Sequence, residues 1–337
     1  MTGRSYYDII SLYVYAAVAR TPAADGRFMK TVQETSDIII RISHLNKSYG
    51  DLQAVSDLSF HVKRGEFFAF LGINGAGKST TISVMCGELD RDSGEVIIDG
   101  KNIDTGLADI RRKIGVVFQN SILDRDLTVL ENLEIRAALY GIRKPSFRKR
   151  LAYLSDVLDF RDILGQRYCT LSGGQKRKID IARALLHDPD ILILDEPTTG
   201  IDPQTRRRVW GMIRRLREER GLTVFLTTHY MEEVSDADYV VILNKGKIAA
   251  EGRPLDLKNR FAGDYINLYH LEEDEVRMLG LPYRSVPDGF RVEVPGTDAA
   301  TQLILSHPGL FRDYEIIKGN MDDVFLSATG IRLDEEI

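Results

Sequence analysis

Residues 67 to 80 read Phe-Phe-Ala-Phe-Leu-Gly-Ile-Asn-Gly-Ala-Gly-Lys-Ser-Thr. The apolar run Phe67 to Leu71 reads as a buried strand, and the apolar-periodic segment Thr80 to Cys86 reads as a helix. Strand, glycine loop and helix in that order are the context a phosphate-binding loop requires. Gly72, Gly75 and Gly77 let the backbone curl so that several N–H groups point at one centre. The start of the helix adds partial positive charge there. From this position Lys78 reaches the terminal phosphates of a nucleotide, and the Ser79 hydroxyl ligates Mg²⁺.

Working outward, the 337 residues permit two domains of ordinary size. An apolar fraction of 43% and a charged fraction of 28% are globular values, neither disordered nor membrane-embedded. The net charge of −5 supplies no bulk positive field, so nucleic acid is not an expected partner. The basic clusters Arg148-Lys149-Arg150 and Arg206-Arg207-Arg208 read as solvated helix faces. Two isolated cysteines, Cys86 and Cys169, make neither a disulfide framework nor a metal site, and Cys86 reads as a small core residue. No apolar run approaches the roughly 20 residues that span a bilayer. The closest, Ile9 to Ala19, follows Arg4 and superficially resembles a signal peptide. A nucleotide site belongs in the cytosol, so residues 1–36 are read instead as an N-terminal extension: a flexible segment, an amphipathic anchor, or the result of a start codon placed too early.

Structure is expected to begin with a strand at Ile38 to Ile42 and a second at Val55 to Val62. After the glycine loop, Gly94 to Ile98 reads as a strand closed by the tight turn Asp99-Gly100, and Ile114 to Phe118 as a short buried strand ending at Gln119. Thr128 and Glu131 form a capping-box pattern that opens a helix to about Tyr140. Further helical stretches follow at Phe147 to Leu158 and from Leu171 to Leu186. Residues 120–187 therefore read as a helical insert. Asp190 to Leu194, Thr223 to Thr227 and Tyr239 to Leu243 read as strands, with a long helix from Asp202-Pro203 to Glu218. The alternation predicts a mostly parallel sheet covered on both faces. Gly252-Arg253-Pro254 marks a boundary, beyond which residues 253–337 read as a small α+β appendix with no visible chemistry.

Two further stretches carry chemistry. Ile191 to Leu194 is followed by Asp195, a carboxylate at the strand's C-terminal edge and placed to hold Mg²⁺, and by Glu196, placed to polarise a water for attack on the γ-phosphate. Residues 171 to 175 read Leu-Ser-Gly-Gly-Gln just before a helix, a second anion site at a helix N-terminus. There Ser172 offers a hydroxyl, and the amides of Gly173 and Gly174 offer close approach. One chain has no obvious use for two phosphate stations, which suggests that they meet across a dimer.

The set resembles an ATP-binding cassette (ABC) ATPase. The glycine loop, Gln119, Leu171-Ser172-Gly173-Gly174-Gln175, Asp195-Glu196 and His229 match that family's motifs in order, over about residues 37–252. The resemblance implies a P-loop NTPase core with a mostly parallel sheet, an antiparallel β subdomain and the helical insert. It implies that ATP is bound by Tyr49, Gly72, Asn74, Gly75, Gly77, Lys78, Ser79 and Thr80, with Mg²⁺ at Ser79, Gln119 and Asp195. It gives catalysis to Glu196, His229, Gln119 and Lys78. Two cassettes would sandwich two nucleotides, with Ser172, Gly173, Gly174 and Gln175 acting on the other copy's nucleotide and Asp202 at the interface. Ile73 stands where many members carry proline, which alters loop stiffness rather than chemistry.

The stretches Thr198 to Pro203, Thr228 to Glu233 and Met321 to Leu326 resemble cassettes of drug- and polymer-type exporters. The implied partners are separate transmembrane permease subunits and a second copy of the chain or a related cassette. The implied place is the cytoplasmic face of the membrane, peripherally bound. The alternative is a soluble ABC ATPase of translation or DNA repair. Such proteins usually carry paired cassettes or long coiled-coil insertions, and this chain has neither. A P-loop GTPase would need an Asn-Lys-x-Asp element, and both Asn46-Lys47-Ser48-Tyr49 and Asn244-Lys245-Gly246-Lys247 lack the aspartate.

Overall fold

The structure, a computed structural model, describes residues 37–330, so the expected N-terminal extension lies outside the described residues. Strand β1 (Ile38–Tyr49) pairs antiparallel with β2 (Leu52–Lys63). Both run longer than the apolar patterns suggested, and Lys47 to Tyr49 belong to β1 rather than to a connection. In β2, Leu58, Phe60 and Val62 are buried while Ser59, His61 and Lys63 are exposed, the period of a half-buried strand. Next come the fully buried β3 (Phe67–Leu71) and helix α1 (Lys78–Met85), which starts two residues before the apolar pattern does. Strand β4 (Ser93–Ile98) pairs with β1, and Asp99 and Gly100, at φ 50° and 73°, turn it into β5 (Lys101–Asn102).

Helix α2 (Ile103–Lys113) was not expected. It buries Ile103 and Ile110, which with the half-buried Leu107 form one apolar stripe at i, i+4 and i+7. Its ends add to this: Asn102 accepts from the Asp104 amide, and Arg111, Arg112 and Lys113 lie in the last turn, at the negative end of the dipole. Strand β6 (Ile114–Val117) precedes three helices, α3 (Val129–Leu139), α4 (Lys144–Val157) and α5 (Gly173–Leu185). The expected Thr128–Glu131 capping box is formed at α3. The α/β pattern resumes with β7 (Ile191–Asp195), α6 (Pro203–Arg220) and β8 (Thr223–Thr228).

Strands β3, β8, β7 and β6 are neighbours in that order and all parallel. Their registers place Leu71 beside Thr228, Asp195 beside Thr227, and Val117 beside Leu194. Four C-terminal ends are therefore flush, and the segments that follow them open on one edge. Beneath that edge Phe60, Phe68, Phe70 and Phe225 pack with ring centroids 5.2–6.2 Å apart, fastening β2 to the parallel strands. Truncating any of these rings to alanine costs about 3–5 kcal/mol.

The basic clusters depart in part from a solvated face. Arg148, Lys149, Arg207 and Arg208 are exposed. Arg150 instead turns inward, donating to Leu185 O at 2.7 Å and to Asp188 at 2.8 Å. Burial lowers its pKa.

The chain divides into two compact units, the first ending at His229 and also taking Lys245–Lys247. The second contains β9 (Tyr239–Asn244), β10 (Lys247–Gly252), α7 (Pro254–Phe261), β11 (Asp264–Tyr269), α8 (Glu273–Arg277), β12 (Tyr283–Val286), β13 (Gly289–Val294), α9 (Thr297–Ser306), β14 (Tyr314–Lys318) and α10 (Met321–Thr329). The order β12-β13-β11-β14 is antiparallel throughout, over a core of Ile266, Leu268, Val292, Val294, Ala300 and Phe311. Helix α10, from the exporter-like terminal stretch, is capped by Asn320 and packs Met321, Val324 and Phe325 inward, against α7 and β9. Among the described residues, no helix is long and apolar enough to cross a membrane.

His187 gives the first unit a measurable property. Its ring stacks on Tyr140 with centroids 4.0 Å apart, and Nε2 donates to Ile114 O at 3.0 Å. Burial pulls its pKa from 6.5 down to about 4. The unfolded chain binds a proton on His187 in the interval between those values and the folded chain does not. The stability is therefore complete above pH 6.5 and is lost as the pH falls toward 4, by roughly 3 kcal/mol in full. His187→Gln should flatten the corresponding part of a urea-unfolding pH series. An unchanged slope would assign the proton uptake to another group.

Candidate nucleotide site

The glycine loop leaves β3 and closes on itself, with Ala76 N donating to Ile73 O at 3.2 Å. Gly75 and Gly77 take φ of 78° and 105°. At Gly77 the need for glycine is steric as well, because a Cβ would stand 2.5 Å from Ala54 O. Gly77 is also the N-cap of α1 and provides no side-chain bond to the helix's first amides, which suits an anion cradle. Lys78 is 5% exposed, and its ammonium donates to Gly72 O at 2.5 Å and Ile73 O at 3.1 Å. Asn74 and Ser79 are exposed and Thr80 is half-buried.

One position beyond β7, Glu196 adopts φ 44° while only 8% exposed. A left-handed, side-chain-bearing residue of this kind costs about 1–3 kcal/mol and persists where its surroundings over-determine it. Its amide donates to Thr227 O at 3.0 Å. Around its carboxylate, Lys78 Nζ lies 3.5 Å and His229 Nδ1 3.4 Å from Oε1. Gln119 Nε2 donates to Oε2 at 3.3 Å and Thr199 Oγ1 at 3.4 Å. Asp195 accepts from Thr227 Oγ1 at 2.6 Å. Burial raises the Asp195 pKa, and the Thr227 bond opposes that rise. Four of the residues singled out from sequence, Lys78, Gln119, Glu196 and His229, thus converge on one carboxylate.

The other predicted residues are placed apart from that cluster. Ser172 caps α5, accepting from Gln175 N at 3.3 Å, while Gln175 Oε1 accepts from Ser172 N at 2.9 Å. Gly173 is exposed, and Gly174 packs so tightly on Thr205 that any Cβ would collide with that methyl group. Asp202 caps α6 by accepting from Gln204 N at 3.0 Å and Thr205 N at 2.9 Å. The Thr205 and Gln204 bonds lower its pKa. Tyr49 is 49% exposed at the end of β1, with Lys47 Nζ 5.7 Å from its ring centroid.

Sequence reasoning passed over three contributors. Thr227 and Thr199 orient the two carboxylates, as the bonds above describe. Arg177 is a buried cation whose donors all go to backbone: Nη1 to Phe118 O at 2.7 Å, Nη2 to Glu196 O at 2.8 Å, and Nε to Pro197 O. The available signal was a charged residue on the otherwise buried face of α5, alongside Asp180, Ile181 and Ala184.

The sequence pattern of the ABC transporter family matches residues 55–199. Over 296 residues the chain is 35% identical to Nod factor export ATP-binding protein I of Cupriavidus pinatubonensis, covering 87% of this chain and 91% of that one. It is 38% identical over 240 residues to the "Probable multidrug ABC transporter ATP-binding protein YbhF" of Escherichia coli, covering 71% of this chain but spanning only 41% of that protein's length. Among solved structures, a dimeric post-hydrolysis state of the ATP-binding cassette MJ0796 bound to ADP and Pi superposes with a TM-score of 0.59 at 30% identity, over 64% of this chain and 98% of that one. The matched residues 55–199 contain the glycine loop, Gln119, the Ser172 turn and Asp195-Glu196, and the chain belongs to the ATP-binding proteins of the ABC transporter family.

Proposed function

We propose that the chain is the ATP-binding and hydrolysing subunit of an ABC exporter. It would act through separate membrane subunits at the cytoplasmic face and be driven by ATP-dependent pairing of cassettes. The observation that carries this reading is the convergence of Lys78, Gln119 and His229 on the Glu196 carboxylate at the flush edge of the parallel strands.

In this reading the amides of the glycine loop and Lys78 hold the β- and γ-phosphates, and Tyr49 stacks on adenine. Glu196 accepts a hydrogen bond from the attacking water and orients it at the γ-phosphorus, with Gln119 and His229 fixing the carboxylate and the phosphate oxygens. Ser79, Gln119 and Asp195 are hard oxygen donors and few in number, which suits Mg²⁺, a cation that completes its shell with water and phosphate oxygens. When bound, that ion neutralises charge on the phosphates. The Ser172 turn faces the nucleotide of a second copy, with Asp202 at the seam. The Ser172 and Gln175 side chains bond each other's backbone rather than the Glu196 carboxylate, which together with the dimeric form of the MJ0796 cassette supports this assignment. The word "export" in the name of the Nod factor relative, together with the exporter-like α10 segment, supports the direction. The helical insert and the Gln119 segment form the face offered to the membrane subunits.

Glu196→Gln should bind ATP with parental affinity, lose turnover by at least about a hundredfold and accumulate as a dimer in ATP. Turnover near the parental rate would remove Glu196 as the group acting on water. Ser172→Arg should leave ATP binding by the monomer intact and prevent ATP-dependent dimerisation in light scattering. Loss of nucleotide binding by the monomer would place the turn in its own chain's site instead.

A further inference from the structure

Strand β6 is the outermost of the parallel strands on its side, and the carbonyls along its open edge need donors. They receive them from α5 and from His187, two residues beyond its end. Ile114 O accepts from His187, Val116 O from Arg183 and Phe118 O from Arg177. These are alternate carbonyls, as strand geometry requires for one edge. The three side chains are rungs that lock α5 in register against β6.

The rung at Arg177 extends further than the other two. Its guanidinium, 6% exposed, also donates to the carbonyls of Glu196 and Pro197. Asp180 attracts it through space only, accepting its hydrogen bonds from Ser121 Oγ at 2.6 Å and Tyr168 OH at 3.2 Å. A rigid planar fork spent on three backbone carbonyls fixes geometry, and a lysine ammonium cannot span the same three points. The three points matter. Phe118 immediately precedes Gln119, and the Glu196 carbonyl belongs to the residue held at φ 44°. The Thr227 carbonyl anchors Glu196 from its amide side, and Arg177 anchors it from its carbonyl side. The same helix opens with the Ser172 turn, five residues before Arg177.

We infer that Arg177 is a positioning residue for ATP hydrolysis, holding Glu196 and Gln119 in mutual register and tying both to the helix that carries the Ser172 turn. The inference rests on the role proposed for Glu196 above. Arg177 touches no reacting atom and works only through backbone: that of Glu196, of Pro197 beside it, and of Phe118 just before Gln119. Loss of the fork lets the left-handed Glu196 relax and displaces its carboxylate by a fraction of an ångström to an ångström, a shift that slows a positioned reaction by about a hundredfold.

The test uses the full chain and steady-state turnover of MgATP. Arg177→Lys should lower kcat by about a hundredfold while KM stays within about twofold. Combined with Glu196→Asp, it should add little to the loss that Glu196→Asp causes alone, because both changes spoil one carboxylate's position. A merely structural role would lower the unfolding midpoint and give losses that multiply. Arg177→Gln, read in the same way, decides the matter if the lysine variant does not fold. Parental kcat in the variant that folds, or losses that multiply in the double variant, overturns the inference. If Glu196→Gln keeps parental turnover, the reading of Glu196 itself falls. If Glu196→Gln is inactive while Arg177→Lys is not slowed, only the role of Arg177 falls.

Discussion

Glu196 occupies a backbone conformation that side-chain-bearing residues avoid, in a place nearly closed to water. The strain persists because the neighbours leave no alternative. The register of β7 on β8 sets Asp195 beside Thr227, so the Thr227 carbonyl meets the Glu196 amide and the Thr227 hydroxyl meets the Asp195 carboxylate. The same flush strand ends deliver the other participants. The glycine loop follows β3, Gln119 follows β6, and His229 follows β8. Each of these residues is the product of a different crossover, and parallel pairing alone brings them to one edge.

The two glycine-containing turns follow different rules. At Gly77 the backbone itself is unusual, and the helix cap is left without a side-chain donor or acceptor. At Ser172 the backbone is ordinary and the cap is fully satisfied by the reciprocal Ser172–Gln175 bonds. The glycine there answers to packing, since Gly174 lies against Thr205, whose amide is in turn fixed by Asp202. The Ser172 turn and the start of α6 are therefore in direct contact.

Much of this was legible in the sequence because the signals were local. Phe67 to Leu71 and Ile191 to Asp195 are uninterrupted apolar runs, and the Thr128–Glu131 and Asp202-Pro203 helix starts are written in residues three apart or adjacent. Helix α2 escaped although Ile103, Leu107 and Ile110 stand at helical spacing, because Thr105-Gly106 within that short stripe are poor helix formers. Strand β12 and helices α7 and α8 were missed for a related reason. They are short and bury one residue or none, so they leave no periodic pattern to read. Arg177 was hidden for a different reason: its partners are carbonyl groups, which every residue has, and only the folded chain shows which of them lie within its reach. Arg150, read as part of a solvated cluster, turned inward for the same kind of bond.

The claim that each nucleotide is gripped by loops from two copies is tested most directly by mixing two inactive chains. Lys78→Ala spoils the phosphate loop and Ser172→Arg spoils the signature turn, so a mixed pair keeps one site in which both loops are intact. Equal amounts mixed and assayed together should regain roughly a quarter of parental ATP turnover, since half of randomly formed pairs are mixed and each holds one good site of two. A mixture no more active than the two chains assayed separately would contradict the two-copy site.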